Sequence, residues 1–105
     1  MSTFFNIIVP LYNAEKWVTR CIKTAKAQKY DHYRVVVVND ASTDMSRARA
    51  EKEIEDCENI KLINREENGG ALNSVCCAID SLDIKDEEVI MVVDGDDWLA
   101  SPDVL

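Results

Sequence analysis

Three carboxylates crowd the short segment Asp94-Gly95-Asp96-Asp97, which is followed by Trp98. Carboxylates this close repel one another unless water, a proton or a cation comes between them. Hard divalent cations prefer carboxylate oxygens and also bind phosphate oxygens. The segment therefore has the composition of a Mg²⁺ or Mn²⁺ site, with Asp94, Asp96 and Asp97 as metal ligands. Such a site holds a diphosphate and stabilises the charge that develops on it as it departs. The competing reading is a solvated turn, since Asp and Gly favour turns anyway. Position speaks against it, because the acids come directly after five apolar residues, Val89-Ile90-Met91-Val92-Val93. The net charge of −8 raises the same point for the whole chain: an anionic ligand needs a cation to approach. It also leaves no evident basic face for a nucleic acid.

Three other segments carry residues able to bind a ligand. Pro10-Leu11-Tyr12-Asn13 follows an apolar run. It has no GxGxxG, which argues against NAD or FAD, and no P-loop. It offers instead an aromatic ring, Tyr12, able to stack on a nucleobase. Asp40 follows four valines, and its carboxylate can accept hydrogen bonds from a base or a ribose. Ser42 or Thr43 with Asp44 reads as a helix start. In Asn64-Arg65-Glu66-Glu67-Asn68-Gly69-Gly70, the two glycines allow close backbone approach by a phosphate or sugar, or simply a turn with positive φ. The four cysteines include no CxxC pair and the single His32 has no evident ligand partner, which argues against zinc. Cys21 and Cys76 read as small core residues in a reducing compartment.

The elements that must position these residues alternate between strand and helix. Residues 5–9, 33–38 and 89–93 are apolar runs suited to strands covered on both faces, and 60–63 is a shorter alternating strand. Residues 14–28 place Ala14, Val18, Cys21, Ile22 and Ala25 on one helical face, with Asn13 as the N-cap. Residues 70–82 place Leu72, Val75, Cys76, Ile79 and Leu82 on another. Residues 45–57 are more polar, as in a solvated outer helix, and Ser101-Pro102-Asp103 reads as the start of a last helix. This order predicts an α/β fold: a Rossmann-like, mostly parallel sheet with flanking helices, formed by residues 1–105 as one domain. Ligands of such sheets bind beyond the carboxyl ends of the strands, which is where the segments above fall. A receiver-type domain would need acids after the first strand, where Pro10 and Leu11 stand. No apolar run reaches the ~20 residues of a membrane span, and no signal peptide is evident, so the chain reads as cytoplasmic.

These residues resemble glycosyltransferase family 2, of the GT-A fold. The resemblance rests on four signatures in order: Ile7 to Glu15, Val38 to Asp44, Glu67 to Gly70, and a DXD-type motif from Val93 to Leu99. Together they cover nearly the whole chain. The resemblance implies a nucleotide-diphosphate-sugar donor, a UDP-sugar as first guess, together with a divalent metal and inversion at the anomeric carbon. It implies that Pro10, Tyr12, Asn13, Glu15, Asp40, Ser42, Gly69, Gly70, Asp94 and Asp96 bind the donor, with Asp96 the leading metal or ribose contact. Many members carry an Arg-Asn pair in the helix after the Gly-Gly segment, whereas here that helix reads Ala71 to Cys77 without a cation. Members also run well beyond this length. The expectation is therefore the N-terminal, donor-binding half of an enzyme, with the general base and the acceptor site further along. A saccharide, lipid or protein acceptor is left open. The alternative is a module that binds a nucleotide or nucleotide-sugar without chemistry.

Overall fold

The computed structural model describes residues 3–105. Four apolar runs pair as parallel strands: β1 (Phe5–Leu11), β2 (Tyr33–Asp40), β3 (Ile60–Arg65) and β4 (Val89–Val92). Their spatial order is β3-β2-β1-β4. The chain thus builds outward from β1 in one direction and then returns to its other side. Helices α1 (Val18–Lys26), α2 (Ser46–Ile54) and α3 (Ala71–Ser81) make the crossovers. The predicted α/β fold is the observed one.

Both faces of β1 and β2 are covered, which explains their apolar centres, whereas β4, expected to be covered as well, is an edge strand that leaves Val89, Ile90 and Val92 exposed. Successive side chains point to opposite faces. Ile7, Val9, Leu11, Val35 and Val37 pack with Val18, Cys21, Ile22 and Ala25 of α1 and Ala50 of α2. Ile8, Val36 and Val38 face Ala78 of α3, with Val75, Ile79 and Leu82 at the margin. At the amino end of the sheet, the fully buried Asn6 donates to Glu88 Oε1 (3.0 Å) and accepts from Arg34, tying β1 to β2 and to the start of β4.

Several expectations shift. β1 runs two residues past the predicted stop: Pro10 pairs with Val38 and Leu11 with Asn39. α1 begins at Val18, after a turn closed by the Trp17 and Val18 amides on Ala14 O (both 2.9 Å). Asn13 does not cap it. Asn13 is left-handed (φ 45°), and its Oδ1 accepts from the Thr43 amide at 2.8 Å, so it joins two loops instead. The buried face of α3 is centred on Ser74 and Ala78, while Leu72 and Cys76 face outward, so Cys76 is not a core residue. The small side chains of Ser74 and Ala78 bring that helix close to the sheet. Ser101-Pro102-Asp103 forms a turn, with the Asp103 amide on Ser101 Oγ (3.2 Å), and no helix starts there.

Candidate functional site

Because β4 lies on the far side of β1 from β2, the crossovers diverge between β1 and β4. This is the switch point at which ligands of open α/β sheets bind. A cleft of about 280 Å³ opens there. Pro10, Leu11 and Tyr12 line it from the end of β1, and Asn13, Ala14 and Trp17 from the following turn. Asp40 comes from the end of β2, Ala71 and Ser74 from α3, and Asp94, Gly95 and Asp96 from beyond β4. Tyr12 and Trp17 are 50% and 45% exposed, which leaves both rings able to cover a planar ligand.

The acidic turn is fastened on two sides. The Val93 amide donates to Ile8 O (2.9 Å) and the Gly95 amide to Pro10 O (3.0 Å), so pairing with β1 continues past the end of β4. A Cβ on Gly95 would stand 2.7 Å from Leu11 Cδ1 and 3.3 Å from Pro10 O. Leu11 is buried and cannot swing away, so this approach requires glycine. On the other side, the Cys21 thiol of α1 lies 3.6 Å from Asp94 O, the Leu99 amide donates to Thr24 Oγ1 (3.0 Å), and Arg20 stacks on Trp98 at 4.0 Å.

Burial, reinforced by Asp97, Asp96 and Asp94, pushes the Cys21 thiol up to about 12 from an ordinary 9.0. The protonated thiol thus stabilises the fold fully below pH 9, and that contribution is lost as the pH rises from 9 towards 12. We expect alkylation at pH 8 of the native protein to label the exposed Cys76 and spare Cys21, which reacts only after unfolding in urea. Labelling of Cys21 in the native protein would show that this side of the turn is open.

Asp40 is almost fully buried, and its carboxylate is an anchor. One oxygen accepts from Arg65 Nη1 (3.1 Å) and the Gly69 amide (3.0 Å), the other from the Gly70 amide (2.8 Å). It thereby fixes the start of α3 against the end of β2. Gly70 has φ 88° and ψ 164°, a conformation essentially confined to glycine. Ala41, next to Asp40, is also left-handed, at φ 58°. Backbone strain thus gathers in the loops around the cleft, which is where functional sites tend to hold it.

The remaining expected site residues fall outside the cleft. Ser42 Oγ accepts from the Asn13 amide (3.1 Å), and the Glu15 amide donates to Asp44 Oδ2 (3.2 Å). Both join the turn after β1 to the loop before α2. The Gly69 and Gly70 amides are spent on Asp40. Asp97 does not line the cleft, and its Oδ1 accepts from the Trp98 amide (2.8 Å).

Among the described residues, no three His, Cys, Asp or Glu side chains gather tightly enough to cage a metal. Asp94 and Asp96 do share the cleft, and their oxygens are the donors that a hard cation takes. Mg²⁺ is usually held by one or two carboxylates, with substrate phosphates and water completing the shell. Two carboxylates facing an open cleft fit that mode. Ser74, which also lines the cleft, carries no motif signal and is legible as a site residue only from the structure.

Known proteins resemble this chain in sequence and in fold. The family model described as Glycosyl transferase family 2 matches residues 6–105. The teichoic acid poly(glycerol phosphate) polymerase of Staphylococcus epidermidis is 35% identical over 90% of this chain and 13% of that protein. The structure of Staphylococcus aureus TarS 1–349 in complex with UDP aligns at TM-score 0.81 and 31% identity, over 96% of this chain and 29% of that one. The same protein has a structure in complex with UDP-GlcNAc, at TM-score 0.77, 32% identity, 91% of this chain and 27% of that one. The mannosyltransferase PcManGT of Pyrobaculum calidifontis, in complex with GDP-Man and Mn²⁺, aligns at TM-score 0.84 over 97% of this chain and 30% of that one. At 22% identity that likeness speaks for the fold alone. The chain thus spans from 13% to 30% of the length of these proteins. No helix among the described residues is long and apolar enough to cross a membrane.

Proposed function

The chain belongs to glycosyl transferase family 2 and has the α/β fold of GT-A enzymes, and on that premise we propose that its cleft binds the nucleotide diphosphate of a sugar donor. The observation that carries the proposal is the pairing, across one cleft, of a half-exposed tyrosine after β1 with two carboxylates after β4. Tyr12 covers the base, and Pro10 and Asn13 border the nucleoside. Asp94 and Asp96 hold a divalent cation, Mn²⁺ or Mg²⁺. That cation, when bound, neutralises the diphosphate and the charge left on it as the sugar departs. Asp97 stays outside the cleft and supports the turn. Uridine is the first base to test, because TarS, at 31% identity, has been crystallised with UDP.

The chemistry is transfer of the sugar to an acceptor hydroxyl with inversion. It requires a base to take the hydroxyl proton and a surface for the acceptor. On this reading none of the acids bordering the cleft is free to act as that base: Asp40 is held by three donors, and Asp94 and Asp96 are given to the cation. Membership of family 2 implies that the base and the acceptor surface belong to sequence beyond this segment, with residues 1–105 as the donor-binding part.

A ligand that binds only the folded protein raises its stability by about 2.7 kcal/mol at a hundredfold excess over Kd. We expect UDP, in preference to GDP or TDP, to raise the melting temperature in Mn²⁺ and not in EDTA. The donor reading fails if no nucleoside diphosphate shifts the transition in either condition.

A further inference from the structure

Ser74 is fully buried and borders the cleft, yet its hydroxyl is the one buried side-chain polar atom among the described residues without a hydrogen-bond partner. A helical serine or threonine normally has an easy way out, because its hydroxyl can bond back to a carbonyl of its own helix. Two others here do so: Thr24 Oγ1 donates to Cys21 O (2.9 Å) and Ser81 Oγ to Ala78 O (2.7 Å). A buried hydroxyl left unmatched costs stability that alanine, of nearly the same size, would recover. Such a group at the wall of a cleft points to a ligand that supplies the missing partner.

Position indicates which part of the ligand. Ser74 lies in the first turn of α3, whose start is fastened to Asp40 at the end of β2 through the Gly69 and Gly70 amides. Asp94 and Asp96 lie at the end of β4, with β1 between β4 and β2. Neighbouring strands are ~4.8 Å apart, so the two ends of the cleft are separated by about 10 Å. If the diphosphate sits at the acids, the group at the other end is the one farthest from it in a nucleotide, the base. A hydroxyl both donates and accepts, which suits the polar edge of a base.

We propose, resting on the donor reading above, that Ser74 is a base-recognition residue whose hydroxyl hydrogen-bonds the edge of the donor nucleobase. The test is Ser74→Ala, measured three ways: melting temperature without ligand, affinity in Mn²⁺ for the nucleoside diphosphate that the wild type binds, and affinity for ribose 5-diphosphate, which has no base. The expected result is an unchanged or higher melting temperature, about tenfold weaker binding of the nucleotide, or about 1.4 kcal/mol, and unchanged binding of ribose 5-diphosphate. Equal nucleotide affinity in the two proteins overturns the proposal, as does a lower melting temperature with affinity intact. An equal loss for both ligands overturns it too, since Ser74 would then touch phosphate or ribose. A wild type that binds none of the diphosphates sinks the donor reading itself and Ser74's role with it.

Discussion

Asp96→Ala is expected to remove metal-dependent nucleotide binding while leaving the fold in place. Losing a group that merely supports a metal ligand costs 10–100-fold in metal affinity, so losing a direct ligand should cost at least about a hundredfold. Only Asp94 would then remain on the cleft to hold a cation against the diphosphate. The fold should survive because the acidic turn is attached through its backbone, by the Val93 and Gly95 amides to carbonyls of β1, and by Asp94 O and the Leu99 amide to Cys21 and Thr24 of α1. Asp97→Ala is the control. Its carboxylate lies outside the cleft, so binding should change by no more than a few fold. Calorimetric titration of UDP in Mn²⁺ would compare the three proteins. Equal losses in the Asp96 and Asp97 variants would mean that the turn rearranges to bring all three acids together.

The other large effect is expected on stability, from Asp40→Ala. Three donors converge on that carboxylate: the Arg65 guanidinium and the Gly69 and Gly70 amides. Removing one partner of a fully buried ion pair costs 3–5 kcal/mol. Arg65 is 25% exposed, so water recovers part of its share. The two amides lose charge-assisted bonds as well. We expect a loss of about 3 kcal/mol, seen as a lower urea midpoint. Asp40→Asn should rescue little, because its NH₂ group would face a donor. An Asp40→Ala protein with an unchanged midpoint and no nucleotide binding would instead make Asp40 a direct ligand contact.

The contrast between Asp40 and Asp96 shows what was legible in the sequence. Apolar runs disclosed β1 and β2, because the middle of a strand covered on both faces has no polar position to spare; the same kind of run in β4 lies on an exposed edge. The places where those runs end disclosed the cleft, because chain direction alone puts Tyr12, Asp40 and Asp94 at the same edge of a parallel sheet. The partners of each side chain were not legible. Asp40 meets amides 29 and 30 residues away, and that pairing depends on how α3 crosses the sheet. Asn13 had the right type and position for an N-cap, but its side chain was taken by the loop before α2. The buried stripe of α3 was misread for a related reason. Leu72 and Cys76 are the more apolar choices, but the helix turns its small residues to the sheet and gains closeness. That rotation is also what places a serine at the wall of the cleft.

The strand order has a consequence for how the molecule comes into being. β1 comes first among these four strands but occupies an inner position in the sheet, and the neighbour on its outer side is β4. At ~5–20 residues added per second, roughly 4 to 16 s separate the synthesis of Leu11 from that of Val89. During that interval one edge of the first strand lies open and needs shelter from other nascent chains. Pairings this distant along the chain also slow the final collapse, since the loop must close before the contacts reward it. The cleft uses the ends of β1, β2 and β4 together, so it does not exist in any shorter intermediate. Competence to hold a ligand should then appear in a single step with β4, and a ligand present during refolding can act only after that step is complete.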